Sequence, residues 1–171
     1  MDSAVLRAMQ APLKDRYRGD PKAAVITLKA KGTLDDAHIA CKVETGRALA
    51  VAGLHPATGG SGLELCSGDM LLEALVACAG VTLKAVATAL DIPLRSAKVS
   101  AEGDIDFRGT LGIDKTAPVG FAEIRLRFDV ASDAAPDKLD QLLKLTERYC
   151  VVYQTLRNGP PIEVKLERRA G

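Results

Sequence analysis

Two cysteines, Cys78 and Cys150, are the residues of this sequence best suited to chemistry, and each falls in a segment with the composition of a helix. Cys78 lies in the apolar run SGDMLLEALVACAGVTL, and Cys150 follows the amphipathic segment PDKLDQLLKLTERY and begins CVVYQTLRNG. A thiolate is a nucleophile that can also be oxidised, so the pair is consistent with a disulfide or a redox couple. Two unrelated core thiols are the third interpretation, because cysteine is often fully buried.

The other cysteines, Cys41 and Cys66, occur with two histidines, His38 and His55, and together they suggest a zinc site. His38 and Cys41 have a spacing typical of metal ligands. The four residues are nevertheless scattered over predicted strand and loop and do not form a compact motif. We therefore expect neither a metal nor a cofactor.

One long helix is predicted to carry Cys78. The run from Met70 to Leu90 contains only two charges, Glu73 and Lys84, and its length would also suit a transmembrane span. No second span exists and the charges fall inside the run, so we interpret it as the buried central helix of a core or of a subunit interface. Because the chain has only 171 residues, a helix without a polar face indicates that a partner subunit covers it.

The remaining elements follow from periodicity and turn residues, and they predict an α+β fold. Ser67 is expected to cap the long helix, with Asp69 in its first turn. The predicted elements are a helix at 4–15, strands at 24–30 and 38–52 with turns at 32–36 and 44–47, a loop at 55–65, a helix from 67 to about 89, strands at 94–107 and 122–130, helices at 137–149 and 150–157, and a last strand at 162–166. We expect an N-terminal extension at 1–23 and a single domain at 24–171.

Charge and composition exclude several functions. The 23 Lys and Arg residues balance 22 Asp and Glu residues, so no basic field would attract nucleic acid or an acidic membrane. Aromatic residues make up 4% of the chain and Trp is absent, which removes the stacking platforms of single-strand binders. The first residues, with Asp2, lack the apolar run of a secretory signal, so we expect a cytoplasmic protein whose thiols are kept reduced.

Four segments of the chain resemble one known family. They are GGSGLELCSGDMLLEALVACAGVTLKAVATAL, LRSAKVSAEGDIDF, GFAEIRLRFDV and ERYCVVYQTLRNGPPIEVKL, within a region from roughly Ala24 to Leu166. The most specific parts are the apolar helix with Cys78 and the Cys-x-x-Tyr-x-Thr-Leu run that begins at Cys150. In their order and spacing these segments resemble the OsmC/Ohr family, the osmotically inducible and organic hydroperoxide resistance proteins. The resemblance implies an OsmC-like fold and an intertwined homodimer in which the long helices of both subunits pack centrally against sheets.

The resemblance also implies a thiol peroxidase that reduces organic hydroperoxides. Cys78 would be the thiolate that attacks the peroxide and becomes a sulfenic acid, and Cys150 would be the resolving thiol that condenses with it to a disulfide. A dithiol, which is a lipoyl group in the Ohr branch, would then restore both thiols. Asp69 is the third candidate catalytic residue, because the family pairs a carboxylate ahead of the first Cys with an Arg that favours the thiolate.

Several residues depart from the family pattern. Residues 24–44 contain no Arg, and the usual Pro-x-Glu is replaced by Ser67-Gly68-Asp69. On an unbroken helix Asp69 lies about 180° away from Cys78 and Glu73 about 140° away, so neither carboxylate shares its face. Two further interpretations therefore accompany the peroxidase: a non-catalytic OsmC-like dimer that binds a small apolar ligand, and a thiol redox sensor.

Overall fold

The computed structural model describes residues 2–25, 27, 31–34, 40–44 and 49–168. In chain order the elements are α1 (Ser3–Gly19), a 3-10 turn (Pro21–Ala24), β1 (Lys31–Leu34), β2 (Ala40–Glu44), β3 (Leu49–Gly53), a second 3-10 turn (Pro56–Thr58), β4 (Leu65–Cys66), α2 (Ser67–Ala89), β5 (Ser96–Ile105), α3 (Phe107–Thr110), β6 (Phe121–Ala131), α4 (Pro136–Tyr149) and α5 (Val151–Asn158). The mixture of helices and strands confirms the predicted α+β class.

The described strands form two separate sheets. Strands β1, β2 and β3 are an antiparallel meander, as predicted, and β4 joins β3 in parallel. The first strand was predicted at 24–30, with a turn at 32–36. Within the described residues both predictions were wrong, because the strand lies at Lys31–Leu34. Residues 21–24 instead form a 3-10 turn, because Pro21 fixes its start and the Asp20 carboxylate accepts a hydrogen bond from the Lys22 N–H. His38 and the predicted turn at 45–47 lie outside the described residues.

The second sheet pairs β5 with β6 in antiparallel register, close to the predicted strands at 94–107 and 122–130. Gly103 allows a tight approach within this hairpin. A Cβ atom at this position would lie 2.5 Å from two ring carbons of Phe121. The Phe121 ring therefore rests where only a glycine leaves room.

Helix α2 begins and ends where the sequence predicted, but its cap differs. Cys66, the last residue of β4, is the N-cap, and no side chain donates or accepts a capping bond there. Ser67 is already the first helical residue because the strand runs directly into the helix, so the predicted Ser67 cap was wrong. Asp69 lies in the first turn, as expected.

One face of α2 forms the core of the chain. Helix α2 packs against α4, α5 and β5. Its buried residues are Leu75, Ala79, Leu83, Val86 and Ala87, and Leu83, Val86 and Ala87 cluster with Ile92 and Leu142. The packing of α2 against α4 and α5 also brings the two cysteine segments together.

The opposite face of α2 is uncovered. Among the described residues α2 is the one helix long and apolar enough to cross a membrane, with a mean hydropathy of 1.8, and only 22% of that apolar window is buried. Val81 is 73% exposed, and Ala74 and Ala77 on the same face are also exposed. The single chain therefore buries its longest apolar helix on one side only.

The two ends of the chain differ from their predictions. Helix α1 reaches Gly19, four residues beyond the predicted end, and it contains no buried residue. The last strand predicted at 162–166 was wrong for the single chain, because residues 160–168 form neither helix nor strand. Ile162, Val164 and Leu166 are 84%, 86% and 97% exposed, and none of the strands that the structure describes pairs with this alternating segment.

Candidate functional site

Cys150 lies at the break between α4 and α5. Its backbone is extended, and it is both the C-cap of α4 and the N-cap of α5. The Cys150 N–H donates to the Thr146 carbonyl, and the Gln154 side-chain amide donates to the Glu147 carbonyl over 2.8 Å. These bonds hold the turn between the two helices. The Cys150 side chain is 1% exposed, so the turn places a thiol inside the protein.

Cys78 lies in the middle of α2 and faces this turn. It is half-buried, next to the fully buried Ala79. Its sulfur interacts with the N–H groups of Val152 and Val151, the Cys150 thiol and the Thr82 hydroxyl. The structure therefore brings together the two cysteines that the sequence singled out, although they are about seventy residues apart in the chain.

The surroundings shift the pKa values of the two thiols in opposite directions. Burial raises the pKa of Cys78, but the Val152 and Val151 N–H groups, the Cys150 thiol and the Thr82 hydroxyl together lower the pKa below its ordinary value. Burial is also the main influence on Cys150, and together with the neighbouring Cys78 sulfur it raises the pKa of Cys150 above its ordinary value. The first proton lost from the pair therefore leaves a thiolate at Cys78 and a thiol at Cys150.

A cavity near this pair is lined mainly by apolar side chains. It has a volume of about 580 Å³ and lies between the outer edge of β6 and the helices α2, α4 and α5. Leu75, one turn before Cys78, and Tyr153, one turn after Cys150, both line it. Its rim carries Arg157, which donates a 2.8 Å hydrogen bond to the Tyr153 hydroxyl. Neither cysteine lines the cavity, but each has a lining residue one helical turn away along its own segment.

Asp69 is in a different place from the two thiols. It precedes Cys78 by nine residues on a continuous helix, which is about 13 Å along the axis. It lines a separate cavity of about 310 Å³ together with Cys66 and His55. The His55 ring stacks on the Phe107 ring, with 4.9 Å between the ring centroids. Within a single chain the structure does not bring Asp69 to Cys78. The described residues contain no cluster of three or more His, Cys, Asp or Glu side chains that could hold a metal ion.

Comparison with known proteins assigns the chain to a family. The family model for OsmC-like proteins matches residues 59–165, which include α2 with Cys78 and the whole α4–α5 region with Cys150. The chain belongs to the OsmC-like family. No curated protein matches the sequence.

Solved structures show the same OsmC-like fold at low sequence identity. An OsmC-like protein from Mycoplasma pneumoniae is 16% identical, with a TM-score of 0.64 over 78% of this chain and 89% of that one. An organic hydroperoxide resistance protein from Elizabethkingia anophelis, solved with thiocyanate bound, is 17% identical, with a TM-score of 0.61 over 79% and 91%. A putative organic hydroperoxide resistance protein from Vibrio cholerae, with captopril in one of its active sites, is 17% identical, with a TM-score of 0.56 over 79% and 88%.

Sequence reasoning missed the groups that surround Cys78 in this OsmC-like chain. It looked for an arginine, whereas the N–H groups of Val152 and Val151 and the Thr82 hydroxyl are among the groups that lower the pKa of Cys78. Two signals in the sequence pointed to them. Thr82 is four residues after Cys78 and therefore shares its helical face, and the predicted break at Cys150 leaves the first amides of the next helix without helical acceptors.

Proposed function

We propose that this OsmC-like protein is a cysteine-based peroxidase that reduces organic hydroperoxides. The observation that carries the proposal is the contact between two unlike thiols: a half-buried Cys78 with a lowered pKa and a buried Cys150 with a raised pKa. A two-cysteine peroxidase needs this difference, because the attacking sulfur must be a thiolate while the resolving sulfur waits as a thiol. The hydroperoxide resistance proteins among the similar structures support the same function.

The reaction that we propose balances with these two thiols and one dithiol. The Cys78 thiolate attacks the distal oxygen of the hydroperoxide, the O–O bond breaks, and the alkoxide takes a proton and leaves as an alcohol. Cys78 is then a sulfenic acid, and Cys150 loses its proton and attacks that sulfur, so that a disulfide forms and water leaves. A dithiol, such as a reduced lipoyl group in the cytoplasm, restores both thiols by exchange and becomes a disulfide itself.

We further propose that the active form is a homodimer. The uncovered face of α2, with Ala74, Ala77 and the largely exposed Val81, is more apolar than water-facing helices usually are. A second copy of the chain is the partner implied by the OsmC-like family. Such a partner would cover the apolar face of α2 that lies opposite its packing against α4, α5 and β5.

Binding of a small apolar ligand without catalysis is the second candidate function, because the 580 Å³ cavity is lined mainly by apolar side chains. Under this alternative the two cysteines would contribute to packing alone. A third candidate, a redox sensor, uses the same disulfide chemistry without turnover.

Peroxide consumption by cysteine variants distinguishes these functions. With cumene hydroperoxide and dihydrolipoamide, wild type is expected to turn over and Cys78→Ser to be inactive. Cys150→Ser should stop after one turnover at the sulfenic acid, because the attacking thiolate is sufficient for the first step and the resolving thiol is needed for the disulfide. Cys66→Ser is the matched control, since Cys66 is also free but lines the separate cavity with Asp69, and it should behave like wild type.

The products of one turnover test the assignment independently. After one equivalent of peroxide without dithiol, peptide mapping should find Cys78 joined to Cys150. A disulfide between Cys41 and Cys66 would contradict the assignment of the site. Equal and negligible peroxide consumption by all four proteins would favour the ligand-binding alternative, and disulfide formation without turnover would favour the sensor.

A further inference from the structure

Asp91, the residue that follows the C-cap of α2, has a backbone conformation that favours glycine. Its φ angle is 54°, and it is the one residue other than glycine with a positive φ in the described part of the chain. The helix ends in a common way, because the Ile92 N–H donates to the Ala87 carbonyl over 2.9 Å. Glycine is usual at this position, since a Cβ atom crowds the left-handed backbone. The aspartate therefore makes the end of α2 less stable than a glycine would.

The charge of Asp91 is also unfavourable at this end of the helix. The C-terminus of a helix is the negative end of its dipole, which repels a carboxylate and attracts a cation. The last turn of α2 contains no basic residue. Aspartate is tolerated in the left-handed conformation when its side chain makes a local hydrogen bond, but the side chain to which Asp91 bonds is 84 residues away. Local structure alone does not explain this residue.

The side chain that bonds to Asp91 is Arg7 of α1. Arg7 Nη2 donates to Asp91 Oδ2 over 3.2 Å, and both side chains are 64% exposed. The two helices also pack against each other. The guanidinium neutralises the carboxylate and supplies the positive charge that the last turn of α2 lacks. The ion pair thus offsets one disadvantage of Asp91 and connects α1 to the end of α2.

Helix α1 has the properties of an element that can detach without unfolding the domain. It contains no buried residue, and it precedes residues 59–165, which match the family model. A segment with few buried contacts opens locally at a low free energy. An exposed ion pair is also screened by salt. The position of α1 should therefore depend on ionic strength, whereas the buried face of α2 should not respond to it.

We propose that Arg7 and Asp91 form an ionic latch that holds α1 against the end of α2, and that α1 is a strap that opens when this latch is broken. The aspartate occupies a position suited to glycine because the latch needs its carboxylate. The inference is independent of the proposed function, since neither Cys78 nor Cys150 takes part in the latch.

Hydrogen exchange of the full-length protein, followed by mass spectrometry of α1 and α2 peptides, tests the latch. Arg7→Gln should accelerate exchange of the α1 amides by roughly 1.5-fold to fivefold, the range of an exposed ion pair, and should leave the core amides of α2 unchanged. Arg18→Gln is the matched control. Arg18 is on the same helix but pairs over 2.6 Å with Asp15 of α1 itself, so its loss should accelerate exchange less.

Asp91→Gly separates the latch from ordinary helix termination, because it should change two quantities in opposite directions. The variant removes the crowded Cβ atom and the charge from the C-terminus of α2, so the urea midpoint of the domain should rise. The α1 amides should nevertheless exchange faster, as they do in Arg7→Gln. An aspartate that only terminated α2 would leave the exchange of α1 unchanged.

Salt and an exchange of charges complete the test. An increase in NaCl from about 50 mM to about 500 mM should accelerate α1 exchange more in wild type than in Arg7→Gln, which has no latch to screen. Arg7→Glu combined with Asp91→Lys should restore the protection of α1 that Arg7→Glu alone removes.

The proposal is overturned if Asp91→Gly lowers the urea midpoint or leaves α1 exchange unchanged. It is equally overturned if Arg18→Gln acts as strongly as Arg7→Gln, if salt affects wild type and Arg7→Gln alike, or if the exchange of charges restores no protection.

Discussion

The two thiols of the site differ because of which residues surround them. Cys78 faces donors and is half-buried, whereas Cys150 is 1% exposed and lies beside a sulfur that becomes negative first. Burial alone would raise the pKa of both thiols, so the decisive difference is the set of donors directed at Cys78. The order of reaction follows from that set and not from the depth of each cysteine.

This difference predicts two separate pH dependences. Sulfenic acid formation should increase with pH until Cys78 is fully deprotonated and then level off, at a pH below that typical of a free thiol. Disulfide formation should keep increasing to a higher pH, because Cys150 must also lose a proton and its pKa is raised. Stopped-flow kinetics with an alkyl hydroperoxide resolves the two steps. A single common midpoint for both would contradict the opposite shifts.

Among the structural elements, the β5–β6 hairpin is sensitive to a single methyl group at Gly103. Gly103→Ala would place a carbon 2.5 Å from the Phe121 ring and force the ring to move. We expect a loss of about 1–3 kcal/mol in the free energy of unfolding. Gly120→Ala is the matched control, because nothing lies within 4 Å of its Cβ position. Chemical denaturation of both variants measures the effect, and equal midpoints would show that the hairpin accommodates the added methyl.

Elements with a clear hydrophobic periodicity could be predicted from the sequence. Elements that form only by pairing with another part of the structure could not. The apolar run of α2, the alternation of β5 and β6, and the break between α4 and α5 all follow from local pattern. The segment at 162–166 also alternates, but an isolated strand is not stable, and no strand in the described part of the chain pairs with it. At the site, spacing favoured the two cysteines, but the approach of α5 to Cys78 depends on how α2, α4 and α5 pack against one another.

At the scale of the whole molecule, the uncovered face of α2 determines how the protein should behave in solution. Val81→Glu would place a charge in the interface that we propose and should dissociate it, because an unpaired buried charge costs several kcal/mol. Ile113→Glu is the matched control, since Ile113 is 72% exposed and Val81 is 73% exposed, but Ile113 lies in the loop after α3. Only the first change should alter the assembly.

Analytical ultracentrifugation at micromolar concentration measures this directly. Wild type and Ile113→Glu should sediment at twice the chain mass of 18.0 kDa, and Val81→Glu should sediment as a monomer. A monomeric wild type would remove the second copy from the proposed site. The loss of the dimer in both variants would mean that the interface is not specific to α2.

The position of the two cysteines also links oxidation to folding. A bond between Cys78 and Cys150 would close a loop of about seventy residues that contains β5, β6 and α4. Closing a loop of this length restricts the unfolded chain, and the chain-entropy relation gives about 4 kcal/mol of added stability for it. Part of the free energy released by each peroxide reduction would thus stabilise the folded protein. The dithiol would have to reduce a disulfide that is more stable by this amount in every cycle.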